Sequence, residues 1–208
     1  MSPDGVPADP DPALVKDLER LLSPERVLAR PLDRLGRSVD ASLYRLIPQA
    51  VVRPRDLEEV RGLLAWARRR KVGLTFRTAG TSLSGQAVTD QVLVELAPYW
   101  GEARVLDGGA RIWSQPGVVG GHLNRMLAPH QRRIGPDPAS IDAAMLGGIL
   151  SNNSSGMCCG VTQNSYRTLH ALRFVLADGT LVDTGLPDAD ARLRSARPAL
   201  SPASAVSR

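Results

Sequence analysis

Between Ala50 and Val94 the sequence alternates short apolar runs with one amphipathic stretch, and this alternation narrows the possible folds more than any other feature. Ala50-Val51-Val52-Arg53 reads as a strand ended by Pro54. Asp56 and Glu59 form a D-x-x-E capping box. The helix they open carries Leu57, Val60, Leu63, Leu64 and Ala67 on one stripe. Arg68-Arg69-Arg70-Lys71 closes it, where cations complement the carbonyl end of the dipole. Gly73 precedes the strand Leu74-Thr75-Phe76. A Gly/Ser/Thr loop and the strand Val92-Leu93-Val94 follow. Strand–helix–strand–loop–strand is an α/β alternation.

The flanks are less regular. Residues 1–11 read as a flexible tail with Pro3, Pro7 and Pro10. Asp11 is a plausible N-cap and Pro12 a first helical residue, with Leu14, Leu18, Leu21 and Leu22 on one face. Residues 23–47 read as irregular, interrupted by Pro24, Pro31 and Gly36. Downstream, a hairpin is expected from Ala103 to Trp113, turning at Asp107-Gly108-Gly109. Pro116-Gly117 introduces a helix with Val119, Leu123, Met126 and Leu127 on one face, ended by Pro129. A last hairpin spans Leu169 to Asp183 around Asp178-Gly179. After Gly185 periodicity weakens, as in a tail or a cut helix.

The chain has 208 residues, enough for one domain or two small ones, and is 43% hydrophobic but only 4% aromatic, so its core is aliphatic. No apolar run reaches the roughly 18 residues of a membrane span. The N-terminus lacks the basic start and apolar core of a secretory signal, and a cytoplasmic protein is expected. Net charge is +5, with Arg residues spread along the chain rather than gathered in an aromatic-interleaved patch, so no nucleic-acid partner is expected. Cys158 and Cys159 are adjacent, a spacing that strains a disulfide between them. There is no C-x-x-C, and the thiols suit a reducing compartment. His122, His130 and His170 show no metal-ligand spacing, so no metal site is expected.

Two loops carry the chemistry. The first is Arg77-Thr78-Ala79-Gly80-Thr81-Ser82-Leu83-Ser84-Gly85-Gln86, between two strands. Small and hydroxylated residues let consecutive backbone N–H groups converge on an anion, which suits a pyrophosphate. Gly80 and Gly85 have Walker A spacing, but Gln86-Ala87 replaces the Lys-Ser/Thr that reaches terminal phosphates. The G-x-G-x-x-G dinucleotide fingerprint is absent. A solvated linker is the other reading. The second loop region is IGPDPASIDAAMLGGILSNNSSGMCCG, from Ile134 to Gly160. Gly135-Pro136-Asp137-Pro138 fixes an extended turn. Ser140 can cap a short helix beginning at Ile141. Gly147-Gly148 permits close approach to a flat or anionic ligand. Asn152, Asn153, Ser154, Ser155 and Gly156 form a dense polar stretch whose buried groups need partners. The alternative there is an ordinary surface loop.

RTAGTSLSGQ together with GPDPAS…GGILSNNSSG…VLADGT resembles the FAD-binding domain of the vanillyl-alcohol oxidase and p-cresol methylhydroxylase family, within it most the FAD-linked D-2-hydroxyacid dehydrogenases acting on D-lactate, glycolate or D-2-hydroxyglutarate. The resemblance covers about Pro48 to Gly185. It implies an α+β fold of the p-cresol methylhydroxylase type, two small α/β subdomains with the flavin between them. The implied organisation is an N-terminal tail and helix over 1–47, the FAD-binding domain over 48–186, and a tail or truncated element over 187–208. It implies that Thr78, Ala79, Gly80, Thr81 and Ser82 wrap the FAD pyrophosphate. Pro136, Ser140, Gly147, Gly148, Asn153 and Gly156 would line the rest of the nucleotide, and Val175 would lie near the adenine. Arg77 either adds charge there or forms a structural ion pair. Some relatives tether the flavin through a His beside the phosphate loop. Gly80-Thr81-Ser82 stands there in this chain, so non-covalent FAD is expected. Cys158 and Cys159 are expected to be packing residues rather than tethers. His122 and His130 are expected to be surface or capping residues rather than catalytic ones.

Family members continue into a cap that supplies metal-ligand histidines and substrate-carboxylate arginines. Neither that cap nor an iron–sulfur Cys motif is found in these 208 residues. The implied entity is an FAD-binding module of an oxidoreductase, completed by a cap-bearing subunit or existing as a truncated, non-catalytic remnant. Its catalytic residues are not assignable from this sequence. In the complete enzyme a hydride would pass from the hydroxyl-bearing carbon to flavin N5. Without the cap an apolar surface should be exposed and flavin held more weakly.

Overall fold

Asp11 starts the first helix by accepting a hydrogen bond from the Ala13 amide at 2.9 Å. Pro12 occupies a first-turn position that needs no amide donor. The computed structural model describes residues 9–200, so most of the tail expected over 1–11 and the last eight residues lie outside the described residues. Helix α1 (Pro12–Leu22) buries Leu14, Leu18 and Leu22 and leaves Leu21 exposed.

Residues 23–47 are more ordered than their composition suggests. A 3-10 turn at Pro24–Arg26 leads into strand β1 (Val27–Leu28) and helix α2 (Pro31–Leu35). The reason lies in tertiary contacts. Arg26 is 4% exposed, its guanidinium paired with the Glu59 carboxylate and its Nε 3.1 Å from Ser23 Oγ. A two-residue strand has no periodicity to read.

Strand β2 (Ala50–Val52), helix α3 (Leu57–Arg70), strand β3 (Leu74–Arg77) and strand β4 (Val92–Glu95) form as the alternation implied. The Asp56 carboxylate accepts from the Glu59 amide at 2.9 Å. Glu59, however, reaches back to the Arg55 amide at 2.7 Å rather than to Asp56. Lys71 ends the helix in the left-handed region at φ 56°. The sheet order is β1-β2-β4-β3, with β1 antiparallel to β2 and the other pairs parallel. Val52, Val92 and Val94 pack with Leu18, Leu63 and Trp66 of the two helices. Val51 and Leu93, on alternate positions, are equally buried, so both sheet faces are covered. Because β3 and β4 are parallel neighbours, segment 78–91 must carry the chain back from the end of one to the start of the other. The Gly/Ser loop is therefore the crossover of the sheet.

The second half is built from small pieces. Strands β5 (Ala103–Leu106) and β6 (Arg111–Ser114) pair as the expected hairpin. Helix α4 (Gly120–Leu127) buries Leu123 and Leu127. The helix expected to begin at Ile141 under a Ser140 cap does not form. The Ser140 carbonyl instead closes two tight turns onto the Ala143 and Ala144 amides, at 2.8 and 2.7 Å. The Gly121 and Gly120 amides take the Ile141 and Ala144 carbonyls, at 2.8 and 2.9 Å, removing acceptors a helix would need. The helix starts later, as α5 (Leu146–Ser151). Helix α6 (Ser165–Thr168), the hairpin of β7 (Arg173–Val175) and β8 (Leu181–Asp183), and helix α7 (Ala189–Leu200) complete the described residues. The halves meet where Trp100 Nε1 donates to the Pro54 carbonyl at 2.8 Å and Arg61 Nε donates to the Gly179 carbonyl at 3.0 Å. Among the described residues no helix is long and apolar enough to cross a membrane.

Candidate functional site

The first bend leaves β3 at Thr78 and turns at Gly80, whose φ of 71° belongs to the left-handed region. That conformation favours glycine, and space requires it too: a Cβ would lie 2.5 Å from Arg77 Nε. Among the described residues, the amides of Thr78, Ala79, Gly80, Thr81 and Ser82 donate no hydrogen bond within the chain. All five residues are partly buried. Polar backbone groups in such a position normally find a partner. The Ser82 hydroxyl is engaged with Gln86 Oε1 at 2.9 Å.

The second bend lies against the first. A Cβ on Gly147 would stand 2.6 Å from Pro116 Cβ and 3.2 Å from Thr78 Cγ2, and one on Gly148 would stand 3.3 Å from Thr78 Oγ1. The Gly147 amide is held by the Pro116 carbonyl at 2.9 Å. The structure thus brings Thr78, Gly147 and Gly148 into one place. Gly156 sits directly on the Asp137 carbonyl, next to buried Pro136. Asn153 adopts φ 52° at the end of α5, and its Oδ1 accepts from the Tyr166 amide at 3.2 Å. Asn153 and Gly156 therefore already serve the local fold. Ser140 contributes its carbonyl to turns, as described above. Val175 stands apart in β7, opposite Leu181.

A cleft of about 630 Å³ opens beside the second bend, lined by Asp137, Ala139, Ser155, Gly156, Met157 and Cys158. Cys158 is exposed and Cys159 buried, and both are free thiols. Cys159 Sγ packs onto the Gly156 amide and carbonyl, each at 3.2 Å. His122 and His130 are exposed. A second depression of about 410 Å³ between Gly101–Arg104, His122 and Met126 holds none of the expected site residues.

Arg77 hydrogen-bonds backbone carbonyls of the preceding segment, and among the described residues no ion pair of it is found. Its Nη1 donates to the Val39 carbonyl at 2.8 Å and the Arg37 carbonyl at 3.3 Å. Burial draws the guanidinium below the ordinary arginine value, Glu95 and Asp40 oppose that, and Arg37 adds to it. It remains a cation at neutral pH. Residues 37–44, part of the stretch read as irregular, are thus neighbours of the first bend. The available signal was Asp40-Ala41-Ser42, an Asx-turn pattern: the Ser42 amide donates to Asp40 Oδ1 at 2.8 Å.

A family profile described as an FAD binding domain matches residues 48–185. D-2-hydroxyglutarate dehydrogenase of Haemophilus influenzae is 31% identical over 160 residues, which is 73% of this chain and 15% of that protein. Glycolate oxidase subunit GlcD of Escherichia coli is 34% identical over 147 residues, 70% of this chain and 28% of that protein. Among solved structures, alkyldihydroxyacetonephosphate synthase superposes with a TM-score of 0.72 at 21% identity, over 92% of this chain and 38% of that one. p-Cresol methylhydroxylase superposes with a TM-score of 0.68 at 17% identity, over 89% of this chain and 38% of that one. At those identities the superpositions establish the fold alone. The chain spans well under half the length of these relatives.

Proposed function

The chain belongs to the FAD-binding domain family, and from that premise we propose that it is the cofactor-holding module of an oxidoreductase acting on a D-2-hydroxyacid. It is an FAD-binding domain related to D-2-hydroxyglutarate dehydrogenase and glycolate oxidase. The observation that carries the assignment of residues is the row of amides from Thr78 to Ser82 without internal partners, packed beside Gly147 and Gly148. A diphosphate is an acceptor-rich dianion that such a nest satisfies without lysine. In this reading Thr78, Ala79, Gly80, Thr81 and Ser82 bind the diphosphate. Gly147 and Gly148 let the nucleotide approach the backbone. Pro136, Ser140, Asn153, Gly156 and Val175 shape the remaining walls, Pro136 by apolar contact only, since it has no N–H.

FAD, when bound, supplies the two-electron acceptor that takes a hydride at N5 from the hydroxyl-bearing carbon of the substrate. The chain's own residues hold and orient the cofactor. No histidine stands in the first bend, which supports non-covalent attachment. Purified protein tests this: a visible flavin absorption band, with FAD released intact on denaturation, is the expected result. A colourless protein that takes up no FAD overturns the reading.

A second reading is a module that binds FAD without turnover of its own. It rests on one observation: the chain spans 15% of the dehydrogenase and 28% of the glycolate oxidase subunit it matches. Dye reduction with D-lactate, glycolate and D-2-hydroxyglutarate separates the two. Turnover by this chain alone excludes the second reading. Activity only after adding a cap-bearing subunit supports a shared enzyme.

A further inference from the structure

The residues that pin the first bend lie mostly outside the stretch matched by the family profile, which begins at residue 48. Residues 38–46 fold into a small closed loop, joined by an antiparallel bridge between Val39 and Arg45 and by the Leu46 amide donating to the Ser38 carbonyl at 3.0 Å. This loop touches the bend at its start, middle and end. At the start, Arg77 Nη1 reaches the Val39 and Arg37 carbonyls. In the middle, the Ala41 amide donates to the Gly80 carbonyl at 3.2 Å. At the end, the Ala87 amide donates to Asp40 Oδ2 at 3.3 Å, and the Tyr44 ring occupies the space that a Cβ on Gly85 would need, Cδ2 lying 2.5 Å from it.

We propose that residues 37–44 are a splint for the anion-binding bend, and that Arg77 and Asp40 are positioning residues that set nucleotide affinity without touching the nucleotide. The inference rests on the reading of 78–82 as a diphosphate site. The physical argument is one of preorganisation. A bend whose amides face a ligand has no internal hydrogen bonds to hold its shape, so its conformational freedom would be lost on binding. The splint removes that freedom beforehand by taking up the groups that point away from the ligand: the Gly80 carbonyl, the Ala87 amide and the Arg77 side chain. Because coupling is reciprocal, an anion in the bend must in turn stabilise the splint.

The test uses the full chain. Dissociation constants for FAD and for ADP, which carries the diphosphate without the flavin, are measured by calorimetry for the wild type, Asp40→Ala, Arg77→Gln and the control Leu43→Ala, whose side chain is fully exposed. Asp40→Ala and Arg77→Gln should each weaken both ligands about tenfold, the scale of one charge-assisted hydrogen bond, and Leu43→Ala should change neither. The second readout is tryptic cleavage between Arg45 and Leu46, both exposed. Saturating ADP should slow it in the wild type and not in Arg77→Gln. A merely structural loss would lower the melting temperature without uncoupling cleavage from ADP. Should Arg77→Gln fail to fold, Asp40→Ala carries both readouts. A wild type that binds neither ligand overturns the diphosphate reading itself. A wild type that binds both, with variants that bind equally well or keep ADP-dependent protection, overturns the splint alone.

Discussion

Gly156 and Asp40 show how single residues set the shape of the second and the first bend. Gly156 lies so close to the Asp137 carbonyl that a methyl group has no place there. Gly156→Ala should therefore destabilise the protein by about 3 kcal/mol through overpacking, lowering Tm by roughly 6–12 °C for a domain of this size; calorimetric melting checks it. For Asp40, burial works against ionisation. Hydrogen bonds from Ser42 and the Ala87 amide, and the Arg77 charge, outweigh it and hold the carboxyl below the ordinary carboxylate range. A folded pKa depressed below the unfolded one contributes stability above the unfolded value of about 3.9, and loses it as pH falls through the folded pKa. The wild type should lose stability below about pH 4, and Asp40→Asn should flatten that part of the profile. A profile unchanged by the substitution would show that Asp40 contributes nothing to acid lability. Gly80 and Gly147 were legible as special positions from sequence. Asn153 was legible as polar, but its contact with the Tyr166 amide was not, because a side-chain amide that meets a neighbouring loop and one that faces a ligand look the same in a chain of letters.

The elements that formed as expected are those with their own local signals. Helix α3 has its Asp56 cap and a stripe of apolar residues, and β2, β3 and β4 are short apolar runs between breakers. Trp66 joined that stripe unforeseen, through packing against α1. Strand β1 and helix α2 were missed because their placement comes from distant partners: β1 pairs with β2 beside the Arg26–Glu59 contact, and Arg34 Nε of α2 donates to the Pro48 carbonyl at 2.7 Å. The Arg26–Glu59 pair links the connection after α1 to the first turn of α3, with side chains 5% and 16% exposed. Arg26→Ala strands a mostly buried carboxylate and should cost about 3–5 kcal/mol, whereas the double replacement Arg26→Met with Glu59→Met should recover much of that loss. A denaturant double-mutant cycle measures both. Equal stability of the wild type and Arg26→Ala would remove the pair from the account of this corner. The Ser140 helix failed for a similar reason: its carbonyls are taken by α4, which lies some twenty residues earlier in the chain.

At the scale of the whole molecule, a mixed four-stranded sheet and an assembly of hairpins and short helices meet at Thr78, Gly147 and Gly148. Exposed apolar side chains include Leu83 in the first bend and Met157 on the cleft beside the second. Its relatives are much longer, and the catalytic partner belongs to the proposal above. The claim on which the rest depends is narrower: main-chain amides of the first bend hold the nucleotide diphosphate without a lysine. Amide chemical shifts of isotope-labelled protein titrated with ADP address it directly. The largest saturable shifts are expected at Thr78, Ala79, Gly80, Thr81 and Ser82, with smaller ones at Gly147 and Gly148. Saturable shifts confined to Gly101–Arg104 and His122, or no saturable shift at all, would contradict it.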